Sequence, residues 1–234
     1  MAPAYCFYIV GVGGTGSLLA RDLPRLIAGT VHRMILIDGD IVEKKNIARQ
    51  SFQDFDIGQN KAVAMARKIN SLFPACAEAV DKYVTSRELH ELIRRRSEIP
   101  VIIGCVDNDA TRKLLEDAFS NQQAAVYIDS ANSEYSGNVF VCIKNGRQKY
   151  GVIRSEAYDL ADDKKPTDKS CMELIASGET QYFVTNARMA CCALEHCFNL
   201  LNNEMKIAGV TKIDNGVKSQ RSCVGDKCKG HNFL

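Results

Sequence analysis

The residues best equipped to handle a charged ligand are Asp38, Asp40, Arg49, Lys61 and Asp107. Asp38 closes the apolar run Met34 to Ile37 and opens Asp38-Gly39-Asp40-Ile41-Val42-Glu43, with Asn46 and Arg49-Gln50 just behind. Lys61 follows Gly58-Gln59-Asn60, and Asp107-Asn108 closes a fourth apolar run. An acid at the tip of a second strand accepts hydrogen bonds from ribose hydroxyls. Arg and Lys neutralise a chain of phosphates. A lone Asp beside phosphates suits Mg²⁺, which prefers oxygen ligands and keeps most of its waters. Each residue also has a plainer use. A loop cation is usually solvated, Asp107-Asn108 can cap a helix, and Asp40 can be a turn residue beside Gly39. The functional reading rests on their convergence at one edge of a sheet.

Positioning them requires a particular set of elements. Gly11-Val12-Gly13-Gly14-Thr15-Gly16 follows the apolar stretch Phe7 to Val10 and precedes a helical pattern. Such a turn lets the backbone approach a phosphate without a Cβ in the way, and the next helix aims unpaired N–H groups at it. Strand, turn, helix, strand and acid in this order bind a nucleotide. The spacing predicts strands near 5–11, 32–38, 78–84, 100–106 and 124–130, and helices near 15–28, 59–72, 86–96 and 108–120. This alternation predicts an α/β fold, a Rossmann-like, mostly parallel sheet with helices on both faces. Pro24 is placed to kink the first helix.

From Asn138 the pattern changes. Val139 to Ile143, the Asn145-Gly146 turn and Tyr150 to Ile153 predict a hairpin, so the sheet gains an antiparallel C-terminal extension. Residues 155–180 are polar and weakly patterned, as in a functional or mobile loop. Phe183, Ala187, Ala190, Cys191, Leu194, Phe198 and Leu201 form a helical stripe expected in the core. The expected organisation is one domain over 1–205 and a polar tail over 206–234. Within the domain, 5–132 is the nucleotide-binding half and 133–205 holds the hairpin, a crossover loop and a helix.

At 234 residues with 46% hydrophobic content, the chain can bury a full core, and a net charge of +2 gives no electrostatic case for nucleic acid. No run reaches membrane-spanning length, and the N-terminus lacks a basic leader segment. The chain carries ten cysteines. Cys6, Cys105, Cys142, Cys191, Cys192 and Cys197 fall in apolar contexts expected to bury free thiols, which points to a reducing cytoplasm. His32 and His90 read as surface residues.

Four segments together resemble the ThiF/MoeB family, the adenylating fold shared with ubiquitin-activating enzymes. They are GxGGTGS (Gly11 to Ser17), DGDxVExxNxxRQ (Asp38 to Gln50), IGxxKA (Ile57 to Ala62) and the pair Asp107-Asn108. The likeness covers about residues 5–132 and extends weakly to about 200. It implies adenylation of a carboxylate, usually the C-terminal glycine of a small ubiquitin-like or sulfur-carrier protein (or a peptide), using ATP and Mg²⁺. It places Gly11, Gly13, Gly14 and Gly16 around the nucleotide, with Gly14 against the phosphates, Asp38 on the ribose and Asp40 beside it. Asn46, Arg49 and Lys61 bind and polarise the phosphates, Gln50 supports the loop, and Asp107, with Asn108 beside it, holds Mg²⁺. Homodimers are usual in the family.

The chain also departs from that pattern. MoeB-type members carry an N-terminal helix whose Arg reaches the partner's site. Here the first strand starts near residue 5, leaving Arg21 and Arg25 as candidate replacements that no motif marks. Many members hold zinc with two CxxC pairs, and this sequence has no CxxC. Cys223, Cys228 and His231 are close together, with Cys171 able to join them in space, yet the favoured reading is free thiols without structural zinc. Cys171 itself is a candidate carrier of a thioester or persulfide, weighed against an ordinary exposed thiol near Lys164, Lys165 and Lys169. Two other readings stand beside adenylation. One is a non-catalytic ATP-binding scaffold. The other is an NAD-dependent oxidoreductase, which the glycine turn and Asp38 fit but the Arg49 and Lys61 pair does not.

Overall fold

The computed structural model describes residues 3–133, 135–162, 183–202, 208–214 and 217–222. Strands β1 (Tyr5–Val10), β2 (Arg33–Ile37), β3 (Ala77–Val80), β4 (Ile99–Gly104) and β5 (Ala124–Asn132) are parallel neighbours. Between them run α1 (Gly14–Asp22), α2 (Pro24–Ile27), α3 (Lys61–Leu72), α4 (Ser86–Arg94) and α5 (Asp109–Ser120). Then come β6 (Ser136–Asn145), β7 (Gln148–Gly151), α6 (Phe183–Leu201), β8 (Gly209–Asp214) and β9 (Val217–Ser222). The sheet runs β3-β2-β1-β4-β5-β6-β8-β9, with β7 paired to β6. From β5 onward the pairing is antiparallel. One edge of β6 is shared, with Ser136 to Val141 on β8 and Cys142 to Asn145 on β7.

Every residue of β1 is buried because helices cover both faces of the sheet. Phe7 and Ile9 face Leu19 of α1, Met65 and Ile69 of α3 and Met189 of α6. Cys6, Tyr8 and Val10 face Leu89 and Ile93 of α4 with Leu115 and Phe119 of α5. From β1 the chain moves outward through β2 and β3, then returns to β4 and moves the other way to β5. The order reverses between β1 and β4, which opens a crevice beyond their carboxyl ends at Val10 and Gly104.

Four observations refine the sequence reading. Pro24 sits at the start of α2 and separates it from α1. Within 206–234, expected as a polar tail, Gly209–Asp214 and Val217–Ser222 extend the sheet. The third is a correction. The inward face of α6 is Thr185, Asn186, Met189, Ala190, Cys192, Ala193, His196, Cys197 and Leu200. Of the predicted stripe Ala190 is buried on that face and Ala187, Leu194 and Leu201 pack against the core from its border; Phe183 and Phe198 are each 49% exposed, and Cys191 is exposed rather than a buried thiol. The helix is apolar almost all round, so periodicity admits two phases. Met189, Ala193, Cys197 and Leu200 seat α6 on the sheet, while Phe183, Ala187, Ala190, Cys191 and Leu194 line a groove beside Leu18 and Leu19 of α1. His32 is also more than a surface residue, because its Nδ1 accepts the Tyr5 N–H at 3.1 Å.

Candidate functional site

The glycine turn lies at the mouth of the crevice. Gly11 has φ +88°, and its N–H donates to the Ile37 carbonyl at 2.9 Å, joining the exit of β1 to the end of β2. Gly13 is the N-cap of α1 and provides no side-chain cap, while Gly16 lies one turn inside against Cys105. The first N–H groups of α1 are thus left for a ligand. Asp38 completes the turn from β2. Its Oδ2 accepts the Val12 N–H at 2.6 Å and its Oδ1 accepts the Asp40 N–H at 2.8 Å. Only 8% of Asp38 is exposed. Burial raises its pKa above the ordinary carboxylate value, against the opposing pull of Lys61.

Two of the sequence segments are zipped into one unit. Val42 N–H donates to Gln59 O at 2.8 Å, Gly58 N–H to Val42 O at 2.9 Å and Lys61 N–H to Asp40 O at 2.9 Å. Asn60 caps α3 by accepting the Val63 N–H, and its Nδ2 donates to the carbonyls of Asp38 at 2.8 Å and Asp40 at 3.1 Å. This arrangement fixes Lys61 at the first position of α3, where its Nζ meets Asp40 Oδ2 at 2.7 Å. The Asp40 Oδ1 accepts the hydroxyl of Tyr83, whose ring lies on Gly39. Burial alone would raise the Asp40 pKa, but the charge and hydrogen bond of Lys61 and the Tyr83 hydroxyl hold it below the ordinary value. The Tyr83 pKa is raised, first by burial and then by Asp40, with Asp38 and Asp107 adding to the effect.

The remaining predicted residues occupy distinct positions. Asn46 is buried and shapes its own loop: its Oδ1 accepts the Glu43 N–H at 2.8 Å, and its carbonyl accepts from Arg49 and Gln50. Ser51 N–H donates to Ser17 Oγ at 3.0 Å, which ties this loop to α1. Gln50 consequently lies beside Gly13, with a buried Oε1 that has no partner among the described residues. Arg49 is half-buried on the same turn and forms no ion pair among the described residues. Asn108 serves as the N-cap of α5, accepting the Thr111 N–H at 2.8 Å. Its Nδ2 reaches Asp107 Oδ1 at 3.4 Å, and the Asp107 carboxylate is otherwise open to solvent. Arg21 pairs with its neighbour Asp22 at 2.6 Å. Cys171, Cys223, Cys228 and His231 lie outside the described residues.

Asp38, Asp40, Lys61 and the glycine turn therefore form one bonded group, with Gln50 at its rim. Tyr83 and Asn60 belong to that group although sequence reasoning assigned them no role. The Asn60 role was signalled by a capping-type residue directly before a helix; Tyr83 carries no local signal. The site also fits a magnesium nucleotide on its own terms. Mg²⁺ bound with a nucleotide needs one or two carboxylates besides phosphate oxygens and water, and Asp107 offers an exposed one. The uncapped α1 and Lys61 carry the donors and positive charge that phosphates would need.

Known proteins resemble the chain in sequence and in fold. "Ubiquitin-like modifier-activating enzyme 5" of Rattus norvegicus is 31% identical over 140 residues, which is 56% of this chain and 34% of that protein. The "SAMP-activating enzyme E1" of Haloferax volcanii is 33% identical over 111 residues, 47% of this chain and 39% of that protein. The chain thus spans a little over a third of the length of these curated relatives. The crystal structure of PaaA gives a TM-score of 0.69 at 18% identity, covering 93% of this chain and 63% of that one. That of E. coli MccB with ATP gives 0.64 at 17%, covering 96% and 65%; both share the fold. The ThiF family pattern itself extends over residues 4–224, and the chain belongs to the ThiF family.

Proposed function

We propose that this chain adenylates a carboxylate with ATP, and that the acceptor is the C-terminal glycine of a small ubiquitin-like or sulfur-carrier protein. In this reading an acceptor carboxylate oxygen bonds to the α-phosphorus of ATP. The bond from that phosphorus to the bridging oxygen breaks, and pyrophosphate leaves. Two anions must meet, so catalysis rests on positioning and on cations aimed at the developing charge. No general base is needed, because the acceptor carboxylate is already ionised at neutral pH.

The supporting observation is the bonded path from the glycine turn through Val12 N–H, Asp38 and Asp40 to Lys61 Nζ. A ribose held on Asp38 would direct its phosphates between the N-terminus of α1 and the Lys61 ammonium. Arg49, on the loop tied to α1, supplies a second cation. Asp107 would hold Mg²⁺, which neutralises phosphate charge when bound. The names of the relatives, which refer to ubiquitin-like modifiers and SAMPs, support the acceptor class. Family habit favours a homodimer, and the free thiols among the described cysteines favour a reducing cytoplasm. No described helix is long and apolar enough to cross a membrane.

The test is exchange of labelled pyrophosphate into ATP with a panel of diglycine-tailed carriers. Exchange that depends on a carrier and disappears in Asp107→Ala supports the reading. Tight ATP binding without exchange on any carrier refutes it in favour of a scaffold.

A further inference from the structure

Three side chains form a relay that starts and ends on the glycine turn. Thr15 Oγ1 donates to Asn132 Oδ1 at 3.4 Å, and Asn132 Nδ2 donates to Asn186 Oδ1 at 3.1 Å. Asn132 Nδ2 also donates to the Ser133 carbonyl at 3.2 Å, which fixes the orientation of its amide. Asn186 must therefore offer its oxygen to Asn132 and its Nδ2 to the turn. That Nδ2 is buried and has no acceptor among the described residues. It lies against Gly14, where any Cβ would collide with it.

Asn186 is 0% exposed on the inward face of α6, among Met189, Ala190 and Ala193. Buried amides are almost always hydrogen-bonded, so a free N–H in the interior calls for an explanation. Two independent features meet at this point. The nine-residue helix α1 begins at Gly14 without a side-chain cap, and a fully buried donor from a different part of the chain points at the same residue. Both complement an anionic oxygen, and neither is matched by one among the described residues. Resting on the nucleotide reading above, we propose that Asn186 is a phosphate-binding residue, oriented by Asn132 and Thr15 and acting with the first turn of α1. In this way α6, encoded well after the glycine motif, becomes part of the nucleotide site.

The test is displacement of a fluorescent ATP analogue from the purified full chain by ATP and by adenosine. Adenosine reads the base and ribose contacts without phosphates. Asn186→Asp keeps the shape and the Asn132 bond but replaces the donor with an anionic oxygen. The preference for ATP over adenosine should fall at least about tenfold, the scale of one hydrogen bond to a charged group. Thr15→Val, which removes the orienting hydroxyl at constant shape, keeps the test open if Asn186→Asp fails to fold; it should lower the preference by a smaller factor. An unchanged preference in both variants overturns the assignment while leaving the adenylation reading intact. A wild-type chain with no preference for ATP over adenosine overturns both.

Discussion

Lys61→Met separates a functional cation from a structural one. The Lys61 side chain is only 8% exposed, and its sole ion-pair partner among the described residues is Asp40, 2.7 Å away and 49% exposed. Methionine can fill the space of the buried stem. Asp40 would then face water while keeping the Tyr83 hydroxyl. The loss resembles that of a half-solvated pair, below about 1 kcal/mol. Catalysis should behave differently. Removing one donor aimed at transition-state charge costs about 10²–10³ in rate, or about 2.7–4 kcal/mol. Urea unfolding measures the first effect, and carrier-dependent pyrophosphate exchange at saturating ATP measures the second. A small stability loss with a hundredfold or greater fall in exchange is expected. A stability loss above about 3 kcal/mol, or exchange within a factor of about ten of wild type, would show that Lys61 is there to hold the loop.

Other perturbations separate scaffold from chemistry. Asp56, fully buried, accepts from Arg67 at 3.0 Å, Lys68 at 2.7 Å and the Gln53 N–H at 2.8 Å. Asp56→Ala should cost about 2–3 kcal/mol in urea unfolding, toward the lower part of the range for buried charge pairs because both cations reach water. The raised pKa of Asp38 gives a signed pH effect. If Asp38 holds the ribose as proposed, its ionised form is required, so ATP affinity measured by calorimetry should fall on acidification at a pH above the ordinary carboxylate range, and Lys61→Met should move that fall to still higher pH. For stability the sign is opposite: the contribution of Asp38 is present below the unfolded carboxylate pKa and lost as pH rises through its raised value. Burial pushes the thiol of Cys6 up to about 11 and those of Cys105 and Cys142 up to about 12. Iodoacetamide at pH 8 with peptide mapping should label Cys191 and spare these three; labelling of the half-buried Cys105 at the rate of Cys191 would refute that assignment.

Much of this site was legible in the sequence because it is built from local signals. The glycine turn, the acid ending β2, the lysine opening α3 and the Asp-Asn pair after β4 each lie within a few residues of a strand end, where the fold delivers them to one edge. The sequence marks Asn46 as a candidate, and in the structure its side chain shapes the loop that carries Arg49 and Gln50. Tyr83, Asn132 and Asn186 could not be found this way. Tyr83 meets Asp40 across 43 positions, and Asn132 meets Asn186 across 54, so only the folded sheet brings them together. The inward face of α6 was legible only in part, for a related reason. A helix apolar on most sides has no single preferred phase, and its packing against α1, β5 and β6 sets which residues turn inward. Asp56 is a further case, since its ion pairs appear only when α3 packs beside the turn that carries it.

The most direct test of the account is a crystal structure of the chain with a non-hydrolysable ATP analogue and magnesium. The account predicts the ribose on the Asp38 carboxylate, the phosphates between the N-terminus of α1 and Lys61, and the metal on Asp107. A nucleotide bound anywhere other than the crevice between β1 and β4, or one that leaves Asp38 and Lys61 untouched, would contradict it.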